Sequence, residues 1–353
     1  MSSKDTPIKN TIKGKATSFD IAYQAGVSQS TVSRALRDSH LVNLETRNRI
    51  KAIAKELNYK VDKNASNLRS QHSTTIALLL FEDPTSDDSL INPFFLSMLG
   101  SITRACSLEG YDLLVSFQQL SDDWHADYAD SHKADGIILL GYGDYQDYKE
   151  KLASLEQQGT HFVRWGAVRE GRLGHSIGSD NFQGGYDITQ HLLKLGRNKI
   201  AFIGNASIGS PELFDRYKGS CKAIKEANID VNFELQIDGI TTEQDGHAGV
   251  VKLLESEQAF DAIFCASDLI AVGAMIALRE HGIKVPEEVA VVGYDDIPLA
   301  NFTRPALTTV KQDTKLAGEM LVENLLHLIH DEPILKTVLP AKLIVRKSCG
   351  VEN

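Results

Sequence analysis

The sequence predicts an α/β chain: a small all-α helix-turn-helix head joined to a larger body with parallel sheets. Three observations predict it. Between residues 17 and 61, apolar residues recur at helical spacing in three short segments. From residue 74 onward, short apolar runs alternate with longer helical stretches, as in parallel sheets covered by helices. The charge is also divided. Residues 1–71 hold thirteen Lys and Arg against six Asp and Glu, a balance of +7, which leaves −17 for the rest of a chain whose formal net charge is −10. A basic head on an acidic body implies that only the head meets polyanions. A solvated basic tail is the plainer reading.

Length and composition bound the answer further. A chain of 353 residues is too long for one ordinary core and implies two or three domains. Its 42% hydrophobic and 24% charged residues are ordinary for a soluble protein. No window approaches eighteen apolar residues, so no membrane span is expected. The start, MSSKDTPIKNTIKGKATS, has charges but no apolar core, so no secretory signal is expected. Cys106, Cys221, Cys265 and Cys349 lie far apart, as expected of reduced thiols in a cytoplasmic protein.

Residues 1–16 are polar, Lys-rich and without period, and read as a disordered arm. Ile21, Ala22 and Ala25 share one helical face, which Gly26 stops. Ser28 can cap a second helix, with Val32 and Leu36 four apart on one face. Asn43 can cap a third, striped by Ile50, Ile53, Ala54 and Leu57. The stretch KVDKNASNLRSQHS has no apolar face and reads as a linker at 62–73. The body begins with TTIALLLF (74–81), a buried parallel strand by its continuous apolar character. YDLLVSF, DGIILLG, HFVRWG, KIAFIG, DAIFCAS and EVAVVGYD follow. Helical stretches lie between, at 93–109, 182–195, 213–227, 246–256 and 268–282. That is about twice the common domain size, so two similar lobes are expected, with a ligand cleft beyond the strands' carboxyl ends.

Two helices joined by AGVS have the spacing of a helix-turn-helix. The second would offer Gln29, Ser30, Thr31, Ser33 and Arg34 outward. These types suit the major groove: Gln pairs with adenine, Arg makes a bidentate pair with guanine, and Thr touches a thymine methyl. An αα-hairpin with a polar outer face fits the same spacing.

The stretch ATSFDIAYQAGVSQSTVSRALRDSHLVNLETRNRIKAIAKELNYK resembles the DNA-binding head of the lactose-repressor (LacI) family almost element by element. The resemblance continues through INPFF, SDNFQGGYDITQHLLKLGRNKIAFIG, DRYKG, SDLIAVGAM, VPEEVAVVGYDDIPLANFTRPALTTVKQD and LIVRKS, nearly the whole chain. It implies that residues 17–61 are a DNA-binding domain reading bases through Gln29 and Ser30, supported by Arg34. Thr17, Ser28, Ser33 and Asn43 fall where family members touch phosphates; for the hydroxyls, capping is the alternative. The linker corresponds to a hinge that folds on operator DNA, with Leu68 as a minor-groove wedge. Val61 and Asn64 depart from the family pattern there, where a proline and a β-branched residue are common.

The resemblance further implies a two-lobed, periplasmic-binding-protein-like (type I) effector domain over 74–353. Its N-lobe would span about 74–179 and 309–338, its C-lobe about 180–308 and 339–353. Crossovers are expected near 180, 308 and 338. Family pocket positions fall on Phe95, Trp165, Glu212, Arg216, Thr241, Ser267 and Asp295; Asp268 beside them is a further candidate. Arg216 and Asp295 suit vicinal hydroxyls, and Trp165 suits the apolar face of a sugar ring. Plainer readings are a helix cap for Asp268, an ion pair for Arg216 and a turn for Asp295–Asp296. Thr241 stands where other members often place a ring-stacking aromatic, which implies an effector of different size or one stacked only on Trp165.

Rival classes fare worse. A transport binding protein needs a signal peptide and no DNA-binding head. For an enzyme, there is no GxGxxG after a strand, no P-loop and no HExxH. GYGDYQDY (141–148) fails the glycine spacing, and His175, Ser179 and Asp180 do not share a strand face. The expected function is therefore a transcriptional repressor of sugar or glycoside utilisation, with no enzyme activity, cofactor or metal. Its partners would be a pseudo-palindromic double-stranded operator, a mono- or disaccharide effector and a second copy in a homodimer, since no apolar-heptad tail follows LIVRKSCGVEN. A corepressor-dependent regulator with a nucleobase-like effector is the alternative.

Overall fold

The computed structural model describes residues 16–59, 72–83, 91–141, 148–169, 171, 173–335 and 338–351. The chain divides into two compact units, Met1–Gln71 and His72–Asn353. Leu68, Val61 and Asn64 lie outside the described residues.

The first unit holds α1 (Ser18–Ala25), α2 (Gln29–Leu36) and α3 (Leu44–Glu56). Each begins on a side chain that satisfies an orphan backbone N–H. Thr17 and Asp20 form a reciprocal capping box on α1. Ser28 accepts from Thr31 N–H on α2, and Asn43 from Thr46 N–H on α3. Gly26 closes α1 in the left-handed region at φ +62°, where any Cβ would be strained. Ile21, Ala22, Ala25, Val32, Ala35, Val42, Ile50 and Ala54 form the buried core, with Val27 and Leu36 packed against it.

The second unit is two parallel sheets. The first has strand order β11-β5-β4-β3-β1-β2, from β1 (Thr75–Leu80), β2 (Asp112–Phe117), β3 (Gly136–Leu140), β4 (Phe162–Trp165), β5 (His175–Ser179) and β11 (Val338–Leu339). Its pairs are all parallel. One face packs on α4 (Pro93–Leu108) and α10 (Thr314–Ile329), the other on Trp124, Tyr128 and Leu152 and Leu155 of α5 (Lys149–Gln157). β1 and β3 are continuous buried runs because both faces are covered. YDLLVSF departs from that expectation. As β2 it is an edge strand, paired among the described residues only to β1, and Leu114 and Val115 are 37% and 45% exposed.

The second sheet has order β7-β6-β8-β9, from β6 (Ile200–Ile203), β7 (Gln236–Ile237), β8 (Ala262–Cys265) and β9 (Ala290–Val292). Around it pack α6 (Asn181–Lys194) with α7 (Pro211–Glu226), and α8 (Glu243–Glu255) with α9 (Asp268–Glu280). An antiparallel pair, β10 (Thr309–Lys311) with β12 (Lys342–Ile344), adjoins β9 through the Val292–Thr308 bridge. The chain thus passes between lobes at Asp180, at Gln312–Asp313 and at Pro340–Ala341.

The α6–α7 crossing bears directly on the site. A Cβ on Gly185 would overlap the carbonyl oxygen of Arg216, and one on Gly219 would overlap that of Phe182. The two backbones meet where side chains are missing, and this sets the depth at which Arg216 enters the body.

Candidate functional site

Two surfaces carry the sequence-marked residues, one on each unit. On the head, α2 presents Ser30 and Arg34 to solvent, with Gln29, Thr31 and Ser33 half-buried. The hydroxyls are busy locally. Ser28 Oγ lies 2.9 Å from both Ser30 Oγ and Thr31 Oγ1. Ser33 Oγ accepts from Arg37 at 3.1 Å. Gln29 Nε2 donates to Ser18 Oγ at 2.8 Å, a contact nothing in the local pattern announces. Thr17, Ser28 and Asn43 all cap helices, a structural role that leaves their other lone pairs available.

In the body, α7 inserts Arg216 between the carboxyl ends of the second sheet. Its side chain is fully buried. Nε donates to Asn181 Oδ1 at 2.9 Å and Nη1 to the Ala266 carbonyl at 2.5 Å. Asp295 Oδ1 lies 3.6 Å from Nη1, and the guanidinium stacks 3.8 Å over the Tyr294 ring. Gln312 Nε2 donates to the same Asp295 oxygen at 2.7 Å. A buried guanidinium survives only with this density of partners. Asp295 and Asp296 both have positive φ, +111° and +57°. The strain is held by Asp295 N–H bonding Val310 O at 2.8 Å and by the 2.6 Å Arg346–Asp296 ion pair. The Tyr294 hydroxyl is buried and has no hydrogen-bond partner among the described residues.

Ser267, not Asp268, caps α9, its Oγ accepting from Ile270 N–H. The helix-cap reading of Asp268 is corrected accordingly. As the first helical residue, Asp268 turns its carboxylate to Ile297 N–H (2.9 Å) and Thr309 Oγ1–H (2.6 Å), tying three segments together. Burial, and then the neighbouring Asp295 charge, pushes this carboxyl well above the carboxylate range.

A cleft between the lobes is lined by Gln118, Gly141, Tyr148, Arg164, Trp165 and Glu212, among others, and leaves only about 40 Å³ of space. That is far below the few hundred Å³ of a typical small-molecule pocket. Two contacts from the segment after β4 to the first turns of α7 hold it shut. Glu212 Oε1 accepts from Ala167 N–H at 2.6 Å, and Arg169 pairs with Asp215 at 2.6 Å. Arg164 converges on the first: a Cβ on Gly166 would lie 2.8 Å from Glu212 Oε1 and 3.3 Å from Arg164 Nη1. Trp165 lines the cleft and packs against Phe94, which is edge-on to Phe95.

Of the residues marked from sequence, Trp165 and Glu212 line the cleft, and Arg216 and Asp295 form one buried cluster. Phe95, Thr241 and Ser267 are buried outside the lining. Sequence reasoning passed over Arg164, whose signal was a charge inside the apolar run HFVRWG. It also passed over Gln118, whose Nε2 bonds both Leu79 and Leu140 carbonyls at 3.0 Å, and Asp83 just beyond β1. Asp83 is 3% exposed with one oxygen lacking a hydrogen-bond partner among the described residues, and burial pushes its carboxyl up to about 7. Among the described residues no His, Cys, Asp and Glu cluster could hold a metal ion, and no helix is long and apolar enough to cross a membrane.

Comparison with known proteins places both surfaces in context. Residues 19–62 match the profile of bacterial regulatory proteins of the lacI family, and residues 189–349 that of a periplasmic binding protein-like domain. The transcriptional repressor PurR of Haemophilus influenzae (strain PittEE) is 30% identical over 341 residues, covering 94% of this chain and 98% of its own. PurR of Histophilus somni (strain 129Pt) is 29% identical at the same coverage. Among solved structures, the lac repressor dimer bound to operator and the anti-inducer ONPF aligns with a TM-score of 0.80 at 26% identity, over 95% of this chain and 99% of that one. A complex of the transcriptional regulator CelR with cellobiose aligns at 0.69 and 29%, over 94% and 99%. With head, two-lobed body and relatives in agreement along nearly its whole length, the chain belongs to the lacI family of bacterial regulatory proteins, DNA-binding transcriptional regulators rather than enzymes.

Proposed function

We propose that this chain is a cytoplasmic, effector-controlled repressor. As a homodimer it binds a pseudo-palindromic operator, with α2 in the major groove of each half-site. Gln29, Ser30 and Arg34 read bases, while Thr17, Ser28 and Asn43 take phosphates on the outer sides of their caps and Ser33 takes one from within α2. Support comes from the exposure of Ser30 and Arg34 and from the +7 balance of residues 1–71. Leu68 serves as the hinge wedge. Exposed Leu96, Leu108, Leu114 and Val115 on α4 and β2 of the first lobe suit a dimer contact.

The effector is a small polyol, a mono- or disaccharide, held in the cleft. The observation that carries this reading is the buried Arg216–Asp295 pair with Asn181 and Gln312 beside it. Such a set of charged donors and acceptors suits vicinal hydroxyls. Trp165 supplies an apolar face at the cleft wall. In the closed arrangement Glu212 and Arg164 fill the space, so the sugar enters by breaking the Ala167–Glu212 and Arg169–Asp215 contacts. A ligand that binds one lobe arrangement better shifts operator affinity by that difference alone. A nucleobase corepressor of the purine-repressor kind is the second reading, favoured by the relatives named PurR.

The test is operator binding by the full chain, on duplexes from its own upstream region, with a panel of mono- and disaccharides and of purine bases. Release by one sugar is expected. Tightening by a purine, with no sugar active, replaces the sugar reading by the corepressor one.

A further inference from the structure

We propose that Ser18 is a positioning residue for base reading: it orients the Gln29 carboxamide that α2 presents to the operator. The proposal rests on the reading that Gln29 contacts a base.

Gln29 is the first residue of α2 and Ser18 the first of α1, eleven positions apart, and both are half-buried. Gln29 Nε2 donates to Ser18 Oγ at 2.8 Å. The terminal torsion of a glutamine is broad, so a free carboxamide turns its oxygen and nitrogen to any direction. A bond from one N–H to a fixed hydroxyl removes that freedom. A carboxamide has two N–H donors and one oxygen. With one donor engaged by Ser18, the other N–H and Oε1 remain for a base, coplanar as in any carboxamide. That donor–acceptor edge is what adenine's N7 and N6 amino group require. Ser18 does not itself cap α1, since Thr17 and Asp20 do so. Its hydroxyl is therefore not needed for the helix, and alanine at the same place keeps helix propensity.

Ser18 thus contributes to specificity without touching DNA. Its loss leaves Gln29 able to reach the base but obliged to lose its rotational freedom on binding. An immobilised long side chain costs enough to weaken binding roughly 2- to 12-fold, so discrimination at one base pair falls by that factor.

The experiment uses the full chain and a short duplex selected from a random-sequence pool, together with all its single-base-pair variants. Affinities are compared for wild type, Ser18→Ala, Ser18→Thr and Gln29→Ala. The expected result is that Gln29→Ala abolishes discrimination at one A·T pair of each half-site. Ser18→Ala weakens discrimination at that same pair only, Ser18→Thr restores it, and affinity for unrelated DNA is unchanged in all four. If Gln29→Ala acts at one pair but Ser18→Ala leaves that pair unaltered, or weakens every pair equally, the positioning role is overturned while Gln29 keeps its reading role. If Gln29→Ala changes no pair, both the Gln29 reading and this proposal fall.

Discussion

Asp83 couples the stability of the body to pH in a direction opposite to that of most carboxylates. It follows β1 by three residues, is 3% exposed, and has one oxygen without a hydrogen-bond partner among the described residues. Burial alone lifts its carboxyl from an ordinary 3.8 to about 7. Between those values the folded chain holds a proton that the unfolded chain has released. The folded state then binds more protons, so stability falls as pH rises through this window and levels off above about pH 8. Each pH unit of separation corresponds to ~1.4 kcal/mol, so a gap of about three is worth about 4 kcal/mol. Asp83→Asn keeps the shape and removes the charge. Urea unfolding of the body in wild type and variant, at pH 4 and pH 8, isolates the residue. Asp268 is also raised and slopes the same way, so the difference between the two proteins is the quantity to read. Near-equal stability is expected at pH 4, with the variant ahead by about 4 kcal/mol at pH 8. A difference that stays constant between the two pH values refutes the reasoning: Asp83 would then be ionised and paired in the folded chain.

Further outcomes follow from the two surfaces. Arg34→Ala costs roughly 1–3 kcal/mol of operator affinity and relaxes one base position, read by titrating duplex variants. Arg216→Met strands Asp295 in the interior and destabilises the body by about 3–5 kcal/mol in denaturant unfolding, whereas Arg169→Ala, breaking the more exposed pair with Asp215, costs about 0–1 kcal/mol. Equal costs for these two contradict the burial argument. Gly185→Ala forces α6 off the Arg216 backbone and costs roughly 1–3 kcal/mol by overpacking; unchanged stability there means that the helices separate freely.

What could be read from the residues alone follows a physical line. Features made by near neighbours were legible. The caps at Thr17, Ser28 and Asn43 satisfy backbone groups three residues on, and β1, β3 and β8 announce themselves by continuous burial. β2 has the same texture as β1 yet sits at the edge, because sheet order is set by partners distant in sequence. Ser267 and Asp268 are both good capping types, and the local pattern does not choose between them. The choice was made by Thr309 and Ile297, forty-one and twenty-nine residues away, which claim the Asp268 oxygens. The site obeys the same rule more strongly. Arg216 was visible as a candidate ion pair, but its depth depends on the lack of a side chain at Gly185, thirty-one positions earlier. Glu212 was visible as a pocket residue, yet here it spends an oxygen on Ala167 N–H of the opposite lobe. A side chain chosen to meet a ligand is equally able to bridge the two walls when the cleft is shut. On the proposed reading, the residues that bind the effector and the residues that resist its entry are then partly the same, and substitutions at Glu212 are expected to move both terms together.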